Sequence, residues 1–296
     1  MKHLFLISKV NSAKNKIIKM IERECNGLDY EIFISESRED TFEKARSEAN
    51  TGKELCVYAC GGDGAVNLAA NAVYGYDNVT LSVIPIGTGN DFVRQFGGKK
   101  AFMTLSHIKN GVTKEIDLLK ANESICINML NVGFDEAVAR KVDELRGKPF
   151  MLKSIAYTIG IAIQFASFPK ENLKIEYGNG SVYKGDFTLT YIANGRYCGG
   201  GYNAASLAEV DDGLMDVMTV YPLTRLKFIS IVGKYKKGSI IGNEKYKNLY
   251  EFCKIKKVTL SKDRPFYVCI DGETMRTDRL EVNVIENAIK FKYPRI

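Results

Sequence analysis

Two glycine-rich stretches and two acidic turns hold the residues of this sequence that could do chemistry. In CGGDGAVNLAANAVYG, residues 60–75, Gly61, Gly62 and Gly64 surround Asp63 between an apolar run and a helix-like segment. Glycines there let backbone approach an anion closely, and a helix N-terminus adds free N–H groups and a positive dipole. A carboxylate within such a loop suits a phosphate that arrives with Mg²⁺. The loop is not a Walker A motif, because no Gly-Lys-Ser/Thr follows, and it is not the GxGxxG dinucleotide fingerprint. A plain βα turn accounts for one or two of the glycines but poorly for Asp63 among them. VIPIGTGNDFVRQFG (83–97) repeats the theme at the next strand end. Thr88 can donate to phosphate beside Gly89, while Asn90, Asp91 and Arg94 supply acceptors, donors and a cation.

The acidic turns follow later. IDGE (270–273) puts Asp271 and Glu273 close together at a strand end, where one carboxylate could take a proton from a hydroxyl nucleophile. EVDDGLMDV (209–217) is the second. Each of these, read alone, is an ordinary hairpin turn.

The elements that must position these residues fall into two rhythms. HLFLIS (3–8), YEIFIS (30–35), ELCVYAC (54–60) and VTLSVIPIG (79–87) read as strands. Helix-like segments at 14–25, from Asp40 to near Gly52, and at 65–75 separate them. Strands separated by helices imply a doubly wound parallel α/β sheet, which binds ligands at the carboxyl ends of its strands. After about residue 113 the segments are mostly strand-like, with turn signals such as Gly178-Asn179-Gly180 and Asp271-Gly272. The helical exceptions are DEAVARKVDEL, the apolar 150–166 stretch and TRLKFISIVGKYKKG. The expected chain is therefore an α/β nucleotide-binding domain over 1–119, followed by a β-rich, sandwich-like domain with helical insertions over 120–296. A cleft lies between them, and the C-terminal tail is free to pack back on the first domain.

Composition bounds the class. The 296 residues are 45% hydrophobic and 26% charged, as in an ordinary globular protein. No repeat or low-complexity tract interrupts them. The apolar run in MKHLFLISKV is too short for a secretory signal, which needs roughly 7–15 apolar residues. SIAYTIGIAIQFASF (154–168) falls short of the ~20 residues of a membrane span. The seven cysteines include no CxxC pair and sit mostly in apolar runs, so they read as buried thiols in a reducing cytoplasm. His3, beside an expected sheet edge, and His107 have no suitably spaced partners for metal binding or catalysis. Net charge is +7, with lysines gathered at 14–19, 233–238 and 253–258. That charge suits phosphate-bearing partners. Without tryptophan or interleaved aromatic and basic residues, nucleic acid is not among them.

GGDG at 61–64 followed by PIGTGNDF at 85–92 resembles the diacylglycerol kinase catalytic domain, in particular the bacterial lipid kinases related to diacylglycerol and sphingosine kinases. NVGFDEAVA (131–139), ANGRYCGGG (193–201), EVDDGLMDV and IDGE appear in that family's order, so the resemblance spans essentially the whole chain. GGDG alone is shared with NAD kinases and phosphofructokinases; the ordered set is the specific signal. The resemblance implies a nucleotide site with Asn11 of NSAKN in its first loop, Ser35 where a threonine is common, the 61–68 loop with Gly61, Gly62, Asp63, Gly64, Ala65 and Asn67, and then Thr88, Gly89, Asn90 and Asp91. It implies Glu273 as proton acceptor with Asp271 beside it. It also implies a structural Mg²⁺ held by Asp212 and the carbonyls of Glu209 and Leu214. The chain departs from the family at NSAKN, where NPxxG is usual, and at Ala65 and Leu68, where threonine and glutamate are usual. Losing the threonine hydroxyl removes a phosphate donor worth ~1.5–3 kcal/mol.

The activity so implied is an ATP- and Mg²⁺-dependent kinase acting on the hydroxyl of a membrane lipid such as diacylglycerol. The expected setting is cytoplasmic, with peripheral contact at the anionic inner membrane face; a homodimer is compatible. The alternatives are an NAD kinase-like phosphotransferase, which lacks here the usual GSTAY motif, and a nucleotide-binding regulator without turnover.

Overall fold

The computed structural model describes residues 1–146, 153–168 and 170–295. Its first part is the alternation read above: β1 (Lys2–Ser8), α1 (Lys14–Glu24), β2 (Tyr30–Ser35), α2 (Arg38–Ala49), β3 (Leu55–Gly61), α3 (Asp63–Val73) and β4 (Val79–Pro85). The strands pair in parallel in the order β4-β3-β1-β2, with β3 and β4 buried along their whole length. Helices on both faces explain why these strands are continuously apolar rather than alternating. α2 begins two residues before Asp40. Ser37 caps it by accepting from Asp40 N at 3.1 Å, so Asp40 lies inside the first turn.

β1 lies between β2 and β3, because the crossover after β2 passes over it. His3 is therefore interior and buried, not at an edge, with Nδ1 3.1 Å from Tyr58 Oη. His107 is buried as well.

After β4 come a 3₁₀ turn (Phe92–Phe96) and the short helices α4 (Gly98–Phe102) and α5 (His107–Asn110). The β-rich part follows with β5 (Val112–Ala121), β6 (Ser124–Cys126), β7 (Met129–Gly133), α6 (Phe134–Arg146) and α7 (Lys153–Ser167). It continues with β8 (Glu171–Tyr177), β9 (Val182–Phe187), β10 (Leu189–Ala193), β11 (Met215–Val220) and α8 (Arg225–Lys236). β12 (Tyr250–Ile255), β13 (Lys257–Ile270) and β14 (Glu273–Tyr293) complete it. Of the apolar 150–166 stretch expected to be helical, residues 150–152 lie outside the described residues. Gly160 lets α7 approach α6, since a Cβ there would sit 2.8 Å from Val142 Cγ2. Among the described residues, no helix is long and apolar enough to cross a membrane.

The two parts share one sheet. β14 runs antiparallel to β13 and β5 and then parallel to β4, through Lys290 opposite Thr80 and Phe291 opposite Leu81. Phe291 is fully buried in the first part's core beside Phe92 and Phe96. The C-terminal strand thus fixes the cleft walls relative to each other.

Candidate active site

The two glycine loops meet where β3 and β4 end side by side. Ile86 N and Gly87 N both donate to the Gly61 carbonyl, at 3.0 and 3.1 Å. A Cβ on Gly87 would lie 2.3 Å from Gly62 Cα, so the loops pack backbone against backbone. Gly62 is the N-cap of α3, and the free N–H end of that eleven-residue helix opens on the cleft. Ala65 packs its methyl on Gly61, where an added Cβ would be 2.4 Å away. Asp63 turns toward the second loop: Oδ1 accepts from Phe92 N at 3.0 Å. Burial, then the neighbouring Asp91, pushes its pKa up.

Part of the second loop is committed to structure. Asn90, at φ 50°, accepts from Gly87 N at 3.1 Å and donates to Gly87 O at 2.7 Å. Asp91 pairs with Arg94 Nε at 3.0 Å and accepts from Gly200 N at 2.8 Å. These three side chains, expected to serve the nucleotide directly, spend their polar atoms shaping the loop and fastening it to the 199–201 glycines. Thr88 and Gly89 remain on the cleft wall with Gly62, Asp63 and Gly64. Asn11 follows β1 and Ser35 ends β2, and neither is among the cleft-lining residues. Asn11 accepts from Ala13 N at 2.9 Å, and Ser35 is buried.

The two carboxylates of IDGE do different things. Asp271 (φ 48°) and Gly272 (φ 89°) form the tight turn between β13 and β14, which the Asp-Gly dipeptide favours. Asp271 is buried; Oδ1 accepts from Asn128 N (3.1 Å), Met129 N (2.9 Å) and Cys126 Sγ (3.3 Å), and Oδ2 from Ile127 N (2.8 Å). In the amide orientation set by its network, Asn67 donates to Asp271 Oδ2 at 3.1 Å and to Ile125 O at 2.8 Å. Desolvation raises the Asp271 pKa to about 6 against those bonds. Asp271 is therefore an anchor joining α3 to the 125–129 segment rather than a free catalytic carboxylate. Glu273 is half-exposed and faces Gly64; its Oε1 is 2.5 Å from Arg38 Nη1. Sequence reasoning missed Arg38. The available signal was its position directly after the Ser37 cap, at a carboxyl strand edge.

The structural Mg²⁺ implied for Glu209, Asp212 and Leu214 does not fit this loop. Asp212 Oδ1 accepts from Leu214 N at 3.0 Å, and Oδ2 is 2.7 Å from Lys254 Nζ. Both carboxylate oxygens are engaged by the protein, one of them by an ammonium that a divalent ion would have to displace. Among the described residues, no group of three or more acidic, histidine or cysteine side chains is arranged to hold a metal ion.

The cleft has a volume of ≈ 920 Å³. One end is the loop pair and Glu273. Its opposite end is apolar, with Phe134, Val138 and Val142 from α6 and Phe228 and Val232 from α8. Between them Tyr235 Oη donates to Asp135 at 3.0 Å, and desolvation lifts the Asp135 pKa to about 6. Asn128 and Asn131 stand on the same wall, and among the described residues the buried Oδ1 of each has no hydrogen-bond partner.

Residues 3–121 match the family model for the diacylglycerol kinase catalytic domain, and residues 128–292 that for the YegS C-terminal NAD kinase beta sandwich-like domain. A Stenotrophomonas maltophilia protein named "Probable lipid kinase YegS-like" is 25% identical, over 90% of this chain and 88% of its own. A Bacillus subtilis diacylglycerol kinase is 27% identical, over 77% of this chain and 74% of its own. The crystal structure of a Bacillus anthracis protein assigned as a diacylglycerol kinase superposes with a TM-score of 0.77 at 21% identity, covering 99% and 96% of the two chains.

Proposed function

We propose a specific reaction from the premise that this chain belongs to the lipid kinase family that joins a diacylglycerol kinase catalytic domain to a YegS-type C-terminal domain. The reaction is transfer of the γ-phosphoryl group of ATP to the hydroxyl of a membrane lipid of the diacylglycerol class. The observation that supports it is one continuous cleft that is glycine-lined and N–H-rich at one end and apolar at the other, with Glu273 on the wall beside the glycine loop.

The triphosphate would lie on the N-terminus of α3 and on Thr88, where backbone donors and the helix dipole meet anionic oxygens. Nucleotide-bound Mg²⁺ would supply charge neutralisation, and Asp63, in the glycine loop on the cleft wall, is the carboxylate that would face it. Glu273 would take the proton of the attacking hydroxyl, and its pairing with Arg38 beside Gly64 supports that role. Asp135 and Tyr235 offer an acceptor and a hydroxyl to a polar headgroup, while α6 and α8 receive acyl chain. Phosphoryl transfer depends mainly on positioning and electrostatics, which such a pre-formed cleft supplies.

A lipid substrate implies reversible docking at a membrane face. Helix α8 favours this. Its inner residues Phe228 and Val232 line the cleft, while Leu226 (81% exposed) and Ile229 (56%) face outward. From 225 to 237 it carries one arginine, four lysines and no acid. Each basic residue near an anionic leaflet contributes about 1 kcal/mol. The lysines at 254–257, expected to share this role, are neutralised instead: Lys254 by Asp212 and Asp216, Lys256 by Glu286 and Lys257 by Glu281.

The test is phosphate transfer from labelled ATP, with Mg²⁺, to dispersed diacylglycerol, to NAD, or to no acceptor. Label in the lipid supports the reading. Label in NAD alone would make it an NAD kinase, and nucleotide binding without transfer would make it a regulator.

A further inference from the structure

We propose that the ammonium of Lys254 is the resident cation of the 209–216 loop, so that this chain maintains the fold behind its cleft without a structural divalent ion. Lys254 Nζ lies 2.7 Å from Asp212 Oδ2 and 2.9 Å from Asp216 Oδ1. Those are N–H···O distances; Mg²⁺ would require oxygens at about 2.0–2.1 Å in an octahedron. The placement is topological. Lys254 stands directly opposite Asp216 in the β11–β12 register, so its side chain reaches both carboxylates without leaving its strand position. Asp216 is 1% exposed, and among the described residues its carboxylate finds no partner apart from Lys254. A buried carboxylate needs a counter-charge, and Lys254 supplies it.

The rest of the loop is held by protein groups in the same way. Asp117 accepts from Gly213 N and from Asn287 N, both at 2.8 Å, and its own N–H donates to Val210 O at 2.6 Å. Lys114 pairs with Asp211 at 2.5 Å, and Lys256 with Glu286, whose carboxylate flanks Gly213. A divalent ion at Asp212 would have to displace the Lys254 ammonium or sit against a like charge. A tethered ammonium, unlike a bound ion, is not lost by dilution or chelation.

Melting of the full chain without nucleotide or lipid tests this. Protein stripped with EDTA and protein in millimolar MgCl₂ should melt within a degree of each other. Lys254→Met should melt several degrees lower and recover part of the loss in MgCl₂, as two facing carboxylates become open to a metal. Lys254→Arg should melt near wild type and stay indifferent to metal. A wild-type midpoint that falls in EDTA and is restored by Mg²⁺, with the response lost in Asp212→Asn, would overturn the proposal. So would a Lys254→Met protein that melts like wild type. Should Lys254→Met not fold, the EDTA comparison on wild type and Lys254→Arg decides alone. None of these readouts depends on turnover, so their failure and failure of the kinase reaction are separate results.

Discussion

Arg38 Nη1 and Glu273 Oε1 lie 2.5 Å apart, joining the first residue of α2 to the first residue of β14 across the mouth of the cleft. Both side chains are about half-exposed, at 59% and 50%, so the pair contributes little to stability. Its value is orientation. Glu273→Gln should lower kcat by about 10²-fold or more while leaving the ATP Kd nearly unchanged, within the range for removing an acid–base group. Steady-state kinetics and equilibrium nucleotide binding on the same preparation check both halves. Turnover near wild type would remove Glu273 from the proton-acceptor role.

The Asp91 bond to Gly200 N fastens the second glycine loop to the β-rich part. Asp91→Ala removes a charge-assisted hydrogen bond and frees Arg94, costing ~1.5–3 kcal/mol in urea unfolding. Thr88→Ala should instead weaken ATP binding and leave the urea midpoint in place. Equal effects of the two variants on stability would mean the clasp is not structural.

The apolar end of the cleft should govern lipid and not nucleotide. Val138→Trp fills space between α6 and α8, so the KM for a long-chain lipid should rise at least several-fold with an unchanged ATP Kd. A short-chain, water-soluble analogue should be less affected. If all acceptors suffer alike, the chain end lies elsewhere.

Outward residues of α8 make a different prediction. Leu226→Asp with Ile229→Asp should reduce sedimentation with anionic vesicles while leaving the transfer rate to a soluble analogue intact. Wild-type binding should fall as salt rises, because exposed charges are screened beyond about 10 Å at 0.1 M. Salt-insensitive binding, equal on neutral vesicles, would exclude the electrostatic component.

His107 is fully buried, and desolvation followed by Lys292 lowers its pKa to about 4. Because the folded value lies below the ordinary 6.5, the unfolded chain takes up a proton that the folded chain does not between pH 6.5 and 4. The stability tied to neutral His107 is complete above about pH 6.5 and declines on acidification, by about 1.4 kcal/mol per pH unit at most. Asp135 and Asp271, raised to about 6, act with the opposite sign and flatten the wild-type profile. The difference between variants isolates the histidine: His107→Leu should gain on wild type between pH 7.5 and 5 in thermal melts. A gap independent of pH would show that His107 titrates normally.

What this sequence determined by itself is local. Apolar runs of strand length separated by helical periods specify β1 to β4 and their helices, since each signal is contained within a dozen residues. Glycines at two successive strand ends specify loops that pack backbone to backbone, because only glycine tolerates Gly87 against Gly62. The Asp-Gly of IDGE specifies its own turn. Tertiary structure decided which side chains those loops left free. Asp91 and Asp271 were as legible as Glu273 in the sequence, yet their oxygens are consumed by N–H groups 109 and 142 to 144 residues away. Arg38 gains its partner because the β13–β14 turn, anchored through Asp271, brings Glu273 beside Gly64, and Lys254 displaces an expected metal because β12 pairs with β11 in one particular register. Spacing along a chain reports the period of its own element; it carries no record of which strand lies alongside, and that neighbour decides whether a carboxylate meets an amide, an ammonium or the open cleft.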